Sequence, residues 1–296
     1  MPHIEPERAV VPGSVPDFSR RDFVRAAVGT GFAAAVLPVT AQTIKTDSAG
    51  LTVGEVTIMS GDFKMPAYRA MPAGKTAADK LPVVLVVSEI FGVHEHIADV
   101  ARRFAKLGYL AIAPELFVRQ GDAQGYGEIS KLLSEVVNKV PDAQVMGDLD
   151  ACVTWASSNG GDPARIAITG FCWGGRITWL YAAHSPAVKA AVAWYGQLLG
   201  APNALKPTNP IDRVGQLKAP VLGLYGEQDT GIPQTAVEAM KAALAASTDA
   251  SAKKSQFVVY PGAQHAFNAD YRSSYQREAA ADGWSRCVAW FKANGV

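Results

Sequence analysis

The chain contains 296 residues, of which 49% are hydrophobic and 19% are charged, an ordinary composition for a globular protein with a sizeable core. Its 28 lysines and arginines oppose 27 aspartates and glutamates, so the formal net charge is +1. Because the sequence has neither a basic run nor an acidic tail, we expect no nucleic-acid partner and a small molecule as substrate.

The first 41 residues are predicted to form an export leader, separate from a catalytic domain at 42–296. Arg20 and Arg21 precede an apolar stretch rich in alanine and glycine, and Val39-Thr40-Ala41 offers small residues for a signal peptidase. This order is typical of a twin-arginine signal, although an amphipathic surface helix has a similar pattern. The apolar run is shorter than the ~20 residues that a membrane span needs. We therefore expect a mature periplasmic or secreted protein that starts near Gln42.

From about Leu51 the sequence alternates between strand-like and helix-like segments. Apolar runs rich in β-branched residues predict strands, and apolar residues at helical spacing predict helices. The predicted strands are 51–60, 63–71, 81–89, 109–116, 165–172, 188–196, 219–229 and 255–262. The predicted helices are 96–108, 142–159, 174–185, 233–246 and 271–293.

This alternation predicts a single α/β domain. A turn at Gly61-Asp62 joins the first two strands into an antiparallel pair, and the later strands, separated by helices, form a mostly parallel twisted sheet. Right-handed crossovers then place helices on both faces of the sheet. The segment 199–213, rich in proline and asparagine, is predicted to be a long surface loop that covers a site.

Three cysteines, an odd number, do not form a disulfide framework. Cys152 and Cys287 lie in apolar stretches with helical spacing and are predicted to be small buried hydrophobic residues. Cys172 differs, because it stands in Gly170-Phe171-Cys172-Trp173-Gly174, where a predicted strand turns directly into a helix. That pattern is typical of a nucleophile elbow, with cysteine in place of serine, and the helix dipole there favours a thiolate.

Two further residues extend this pattern. Asp229 ends the predicted strand 219–229, and His265 follows the predicted strand 255–262. Parallel strands end at the same edge of a sheet, and the order nucleophile, acid, histidine is that of α/β-hydrolases. Taken singly, Asp229 could instead cap the following helix, and His265 could be a surface histidine.

Several segments carry a resemblance to a known family. They are 88–92 (SEIFG), 99–120, 168–175 (ITGFCWGG), 225–229 (YGEQD) and 265–267 (HAF). Through them the chain resembles the dienelactone hydrolases, the carboxymethylenebutenolidases of the α/β-hydrolase fold, over nearly all of 51–296. The resemblance implies a Cys172–His265–Asp229 triad that hydrolyses an ester or lactone, with no metal and no organic cofactor.

The residue chemistry agrees with this implied mechanism. A neutral cysteine is only a few per cent thiolate near neutral pH, so it needs a base such as His265, whose tautomer Asp229 would fix. The backbone N–H groups of Ile90 and Trp173 are predicted to form the oxyanion hole.

Glu89 is a further candidate catalytic residue, next to the predicted oxyanion donor Ile90. In the resembled family this position helps to deprotonate the cysteine when substrate arrives. The alternative is a structural carboxylate that binds loop amides or the side chains of Arg102 and Arg103.

The predicted substrate pocket departs from the family pattern. The family grips a substrate carboxylate with two arginines, and Arg119 matches the first, whereas the second position holds Ala269, with Arg272 three residues further on. We therefore expect weak selectivity for anions, which also fits a general carboxylesterase of relaxed range. The residues expected to form an apolar wall around the substrate are Phe91, Trp173, Trp194, Tyr195 and Phe267.

Three other functions remain open from the sequence. His94, Glu95, His96 and Asp99 could bind a metal, although two histidines at i and i+2 do not share a helix face. Cys172 could be a redox thiol, or the scaffold could bind a ligand without turnover. We expect a monomer.

Overall fold

A computed structural model describes residues 43–296, so the predicted leader, 1–41, lies outside the described residues. In the described part no helix is long and apolar enough to cross a membrane.

The fold is built on one eight-stranded sheet. The strands are β1 (Leu51–Ser60), β2 (Phe63–Pro72), β3 (Leu81–Val87), β4 (Leu110–Pro114), β5 (Gly161–Phe171), β6 (Val188–Trp194), β7 (Val221–Gly226) and β8 (Gln256–Tyr260). Their order is β1-β2-β4-β3-β5-β6-β7-β8. β1, β2 and β4 pair antiparallel, and all other neighbours pair parallel. This mostly parallel sheet confirms the predicted fold class.

Seven α-helices connect and cover the strands in the described chain. They are α1 (Glu95–Lys106), α2 (Ile129–Glu135), α3 (Asp142–Ser158), α4 (Trp173–His184), α5 (Gln234–Ala246), α6 (Ala250–Lys254) and α7 (Arg277–Ala293). Three short 3-10 helices lie at Ala123–Gly125, Val137–Lys139 and Pro210–Gln216.

The direction of each crossover decides which face a helix covers. The step from β3 to β4 runs toward the β1 edge, whereas the steps from β4 to β5 and from β5 to β6 run the other way. Right-handed crossovers therefore place α1 on one face and α3 and α4 on the other. α7 joins α1, since the ring centroid of Phe104 lies 4.5 Å from that of Trp284 and 5.8 Å from that of Phe291. The central strands are buried between these layers, and Val83–Val87 have no exposed surface.

The predicted last helix begins six residues too early. Residues 271–276 form turns instead, and α7 starts only at Arg277. The backbone N–H of Gln276 donates to the carbonyl of Phe267 at 3.0 Å, and its side chain donates to the carbonyl of Gly262 at 2.8 Å. These bonds tie the segment back to the loop after β8, so its backbone cannot make helical hydrogen bonds. The predicted loop 199–213 likewise ends in a 3-10 helix from Pro210.

Two helical glycines test the packing. A Cβ at Gly283 in α7 would lie 2.6 Å from the buried ring of Trp194, whereas a Cβ at the exposed Gly147 in α3 would meet nothing within 4 Å. We expect Gly283→Ala to lower the free energy of unfolding by ~1–3 kcal/mol through overpacking. Gly147→Ala should raise it by ~0.5–1 kcal/mol through helix propensity. Urea unfolding measures both, and a fully stable Gly283→Ala protein would contradict this packing.

Candidate active site

Cys172 occupies a sharp corner between β5 and α4. Its backbone has φ 54° and ψ −114°, a region that residues other than glycine rarely adopt. The Cys172 N–H donates to the carbonyl of Trp194 at 3.0 Å, and the Cys172 carbonyl accepts from the N–H of Gly175 at 3.0 Å. These bonds hold the strained backbone, and the side chain remains only half-buried at the carboxyl end of the sheet.

The glycines beside Cys172 allow backbones to touch. A Cβ at Gly174 would lie 2.4 Å from the carbonyl oxygen of Val87, and a Cβ at Gly175 would lie 2.5 Å from that of Trp194. A Cβ at Gly170 would lie 2.3 Å from the carbonyl oxygen of Gly174. The first turn of α4 therefore sits directly against the ends of β3 and β6.

That contact places the two predicted oxyanion donors near each other. Trp173 is the first residue of α4, and Ile90 lies in the loop that follows β3. Within residues 43–296 neither of their backbone N–H groups donates to an acceptor. Free donors at a helix N-terminus beside a thiol can bind a developing negative oxygen.

Asp229 and His265 meet as the sequence predicts. His265 Nδ1 lies 2.7 Å from Asp229 Oδ2, and the fully buried carboxylate also accepts from the N–H groups of Gly231 at 2.9 Å and Ile232 at 3.1 Å. Asp229 does not cap α5, whose N-cap Pro233 has no side-chain bond. The carboxylate thus orients the imidazole.

The imidazole of His265 connects this carboxylate to the thiol. Its Nδ1 lies 2.7 Å from Asp229 Oδ2, it interacts electrostatically with Cys172, and its side chain is 37% exposed. Burial acts to lower the pKa of His265, but the hydrogen bond to Asp229 and the interactions with Cys172 raise it to about 10. The electrostatics favour a proton on the imidazole.

Glu89 lies at the same edge of the sheet and is bound by a histidine. Its Oε2 is 3.1 Å from His94 Nε2, and both side chains are buried. Burial acts to raise the pKa of Glu89, but the hydrogen bond and charge of His94 and the charge of His96 lower it to about 2. The alternative partners, Arg102 and Arg103, bind other carboxylates, Asp99 among them.

The five aromatic residues predicted to line the substrate fall into two groups, of which Phe91, Trp173 and Tyr195 form the first. The Tyr195 ring centroid lies 5.2 Å from that of His265, and Phe91 lies under the guanidinium of Arg272 at 5.0 Å. Trp173 packs on Phe117 with ring centroids 4.6 Å apart.

Trp194 and Phe267 are not part of a substrate wall in this structure, which corrects the sequence expectation. Both are fully buried, and their ring centroids lie 6.0 Å apart. Trp194 also packs on Gly283 of α7, and its indole N–H donates to the Thr169 hydroxyl at 3.1 Å. They belong to the core behind Tyr195, because α7 covers that face of the sheet.

Arg119 is also placed elsewhere than the sequence suggests. Its guanidinium binds both oxygens of Asp148, at 2.5 and 2.8 Å, and lies 4.1 Å over the ring of Phe63. Asp148 is completely buried and needs a cation, so Arg119 is committed to it. Arg272 instead interacts electrostatically with Cys172 and Glu89. The sequence signal for this interaction was the presence of Arg272 three residues after Ala269, which occupies the position of the family's second arginine.

The residues considered as a metal site do not converge. His94 binds Glu89, and His96 Nδ1 lies 2.9 Å from Asp270 Oδ1. Glu95 and Asp99 bind Arg102. No group of three or more potential metal ligands occurs among residues 43–296.

Comparisons with known proteins agree on one family. The model of the dienelactone hydrolase family matches residues 65–295. The chain is 59% identical over 280 residues to a Methylorubrum extorquens protein named "Putative carboxymethylenebutenolidase", covering 94% of each chain. A protein of the same name from Escherichia coli is 54% identical over 266 residues, which covers 90% of this chain and 96% of that protein. A crystal structure of a Klebsiella pneumoniae protein described as a "Putative Dienelactone Hydrolase" superimposes with a TM-score of 0.78 and 56% identity, over 82% of this chain and 98% of that chain.

The raised pKa of His265 leads to a test of the electrostatics. We expect NMR titration of the imidazole to give a pKa well above 6.5, and Asp229→Asn or Cys172→Ala to lower it. Because the folded pKa is the higher one, this group stabilises the fold fully below pH ~6.5, and the contribution is lost as the pH rises through about 10. Asp229→Asn should therefore show a smaller decline of the unfolding free energy across that window. A wild-type pKa near 6.5 would contradict this account.

Proposed function

The chain belongs to the dienelactone hydrolase family of ester hydrolases, and from this premise we propose that Cys172, His265 and Asp229 form a catalytic triad. The triad would hydrolyse an ester or lactone of a small molecule through a thioester acyl-enzyme. One observation carries the proposal: a half-buried thiol on a strained corner interacts electrostatically with an imidazole that a buried carboxylate orients.

The first half of the reaction forms the thioester. The Cys172 thiol proton passes to His265, and the thiolate attacks the carbonyl carbon of the substrate. The carbonyl π electrons move onto oxygen, and the N–H groups of Ile90 and Trp173 stabilise the resulting oxyanion. When the tetrahedral intermediate collapses, the bond to the leaving oxygen breaks, and that oxygen takes the proton from His265.

The second half releases the acid. His265 removes a proton from water, and the hydroxide attacks the thioester carbonyl. The carbon–sulfur bond then breaks, the thiolate regains the proton, and the acid product leaves. The partial exposure of His265 gives water access to this base.

We infer that Arg272 is the cation nearest to the reacting carbonyl. It is half-buried, stacks over Phe91, and interacts with Cys172, whereas Arg119 is held by Asp148. A single guanidinium would favour a substrate that carries a carboxylate, while Phe91 beneath it offers apolar surface for neutral acyl groups. A general carboxylesterase of relaxed range is therefore the second candidate function.

Cys172→Ala tests the covalent step. We expect it to abolish turnover without unfolding the protein, because alanine fits the site of a half-buried thiol. In the wild type, acid quenching during turnover should trap an acyl adduct on Cys172 that hydroxylamine removes, and iodoacetamide should label Cys172 first. Burial raises the pKa of both Cys152 and Cys287 and makes them poor nucleophiles, so Cys152→Ala is the matched control. Normal turnover by Cys172→Ala would refute the triad.

Arg272→Met tests the substrate preference. We expect kcat/KM for a carboxylate-bearing ester to fall by ~10- to 100-fold, the value of a charge-assisted contact of ~1.5–3 kcal/mol, with little change for its neutral analogue. Arg119→Lys keeps a cation beside Asp148, and it should leave the ratio of the two kcat/KM values within about twofold of the wild type. An unchanged ratio in Arg272→Met would favour the relaxed carboxylesterase.

A further inference from the structure

We propose that His94 is a positioning residue for the reaction, which acts by holding Glu89 as a fixed, ionised carboxylate beside the Cys172 pocket. The inference rests on the proposed function, because it concerns the same thiol. Neither His94 nor its contact with Glu89 belongs to the triad or to the oxyanion hole described above.

The side chains of His94 and Glu89 are both buried, and His94 contacts only one of the two carboxylate oxygens of Glu89. The side chains of His94 and Glu89 are 8% and 3% exposed, and a single contact of 3.1 Å joins His94 Nε2 to Glu89 Oε2. The other carboxylate oxygen, Oε1, is buried and has no hydrogen-bond partner in the described chain. A buried carboxylate favours its protonated form more strongly when the side chain that donates to it is removed.

The carboxylate of Glu89 and the thiol of Cys172 act on the same polar side chains. The hydroxyl of Tyr195 is buried without a hydrogen-bond partner in the part of the chain described, and the ring of Tyr271 lies 5.6 Å from the guanidinium of Arg272. Glu89 and Cys172 both act electrostatically on these two phenols and on Arg272. The charge on Glu89 therefore contributes to the electrostatic potential around Cys172.

The surroundings of His94 fix its orientation. Its ring stands edge-on to Tyr271, with centroids 4.9 Å apart, and lies nearly parallel to His96, at 6.0 Å and 19°. His96 is held in turn by Asp270, which accepts the backbone N–H of Ile44 at 2.6 Å. The imidazole is packed on both sides, so its Nε2 stays directed at Glu89.

The raised pKa of His265 favours a proton already on its imidazole, and in that state Glu89 can accept the thiol proton on Oε1 in place of His265, while His94 keeps its contact with Oε2. The S–H bond breaks, the electron pair stays on sulfur, and the thiolate attacks the substrate as before. His265 then gives its own proton to the leaving oxygen, and Glu89 returns the thiol proton to sulfur when the thioester is hydrolysed. Without His94, Glu89 would lose the hydrogen bond and the charge that do most to lower its pKa, and its burial would then favour a protonated carboxyl, which cannot take a proton from Cys172.

A double-mutant cycle tests this inference. The variants are His94→Phe, His94→Gln, Glu89→Gln and the double variant His94→Phe/Glu89→Gln, with kcat and KM measured separately. We expect His94→Phe and Glu89→Gln each to lower kcat at least tenfold, and the double variant to be no worse than Glu89→Gln alone. His94→Gln should recover most of kcat, since its amide can donate to Oε2.

A matched control is available on the surface. His184 Nε2 contacts Asp150 Oδ2 at 2.8 Å, the same kind of pair, at the C-terminal end of α4. His184→Phe should leave kcat unchanged. Thermal unfolding of every variant distinguishes loss of fold from loss of rate. If His94→Phe does not fold, the rate at which iodoacetamide labels Cys172 is measured in His94→Gln and in Glu89→Gln instead. We expect this rate to fall in Glu89→Gln and to stay at the wild-type value in His94→Gln.

The outcomes separate this inference from the proposed function. Multiplicative losses in the cycle, full activity of His94→Phe, or equal labelling of Cys172 in Glu89→Gln and the wild type would overturn the role of His94. Full activity of Cys172→Ala would overturn the triad itself. If Cys172→Ala is inactive and Glu89→Gln is fully active, the triad stands and the positioning role fails.

Discussion

The first turn of α4 lies against the backbone of two strand ends, and the arrangement of the catalytic edge depends on this contact. Without side chains at Gly174 and Gly175, the helix start reaches the carbonyls of Val87 and Trp194. The same approach turns Cys172 outward, brings the loop after β3 beside the N-terminus of α4, and leaves the N–H groups of Ile90 and Trp173 without acceptors within residues 43–296. A fold held at this distance presents a thiol and free N–H donors together, which is the arrangement that the proposed reaction requires.

Around that edge, three buried carboxylates are each paired with one basic side chain. Asp229 binds the imidazole of His265, Glu89 binds His94, and Asp148 binds Arg119. Leaving a buried charge without a partner is energetically costly, so a side chain that forms one of these pairs is not available to bind substrate. Arg119, which resembles an anion-binding arginine in the sequence, is held by Asp148 for this reason, whereas Arg272 interacts electrostatically with Cys172.

The sequence was sufficient for the features that depend on local pattern. The number and order of the strands, the strand-to-helix turn at Cys172 and the chain order of Asp229 and His265 follow from periodicity and from the rule that parallel strands end at one edge. The exact strand ends do not, since β7 ends at Gly226 and Asp229 lies in the loop beyond it. Other features depend on contacts between distant segments. The burial of Trp194 is decided by α7, and the pairing of Arg119 by α3, neither of which leaves a local signal. The turns at 271–276 depend in the same way on hydrogen bonds to the loop after β8.

The backbone at Cys172 has a consequence for how such sequences diversify. A φ of 54° with a ψ of −114° suits glycine, which would relieve the strain that cysteine tolerates there. Selection for stability alone would therefore drive this position toward glycine, and only selection for chemistry keeps a thiol in it. A descendant that no longer needed turnover would gain stability by the very substitution that removes its nucleophile, so loss of catalysis in this lineage is downhill in folding energy and hard to reverse.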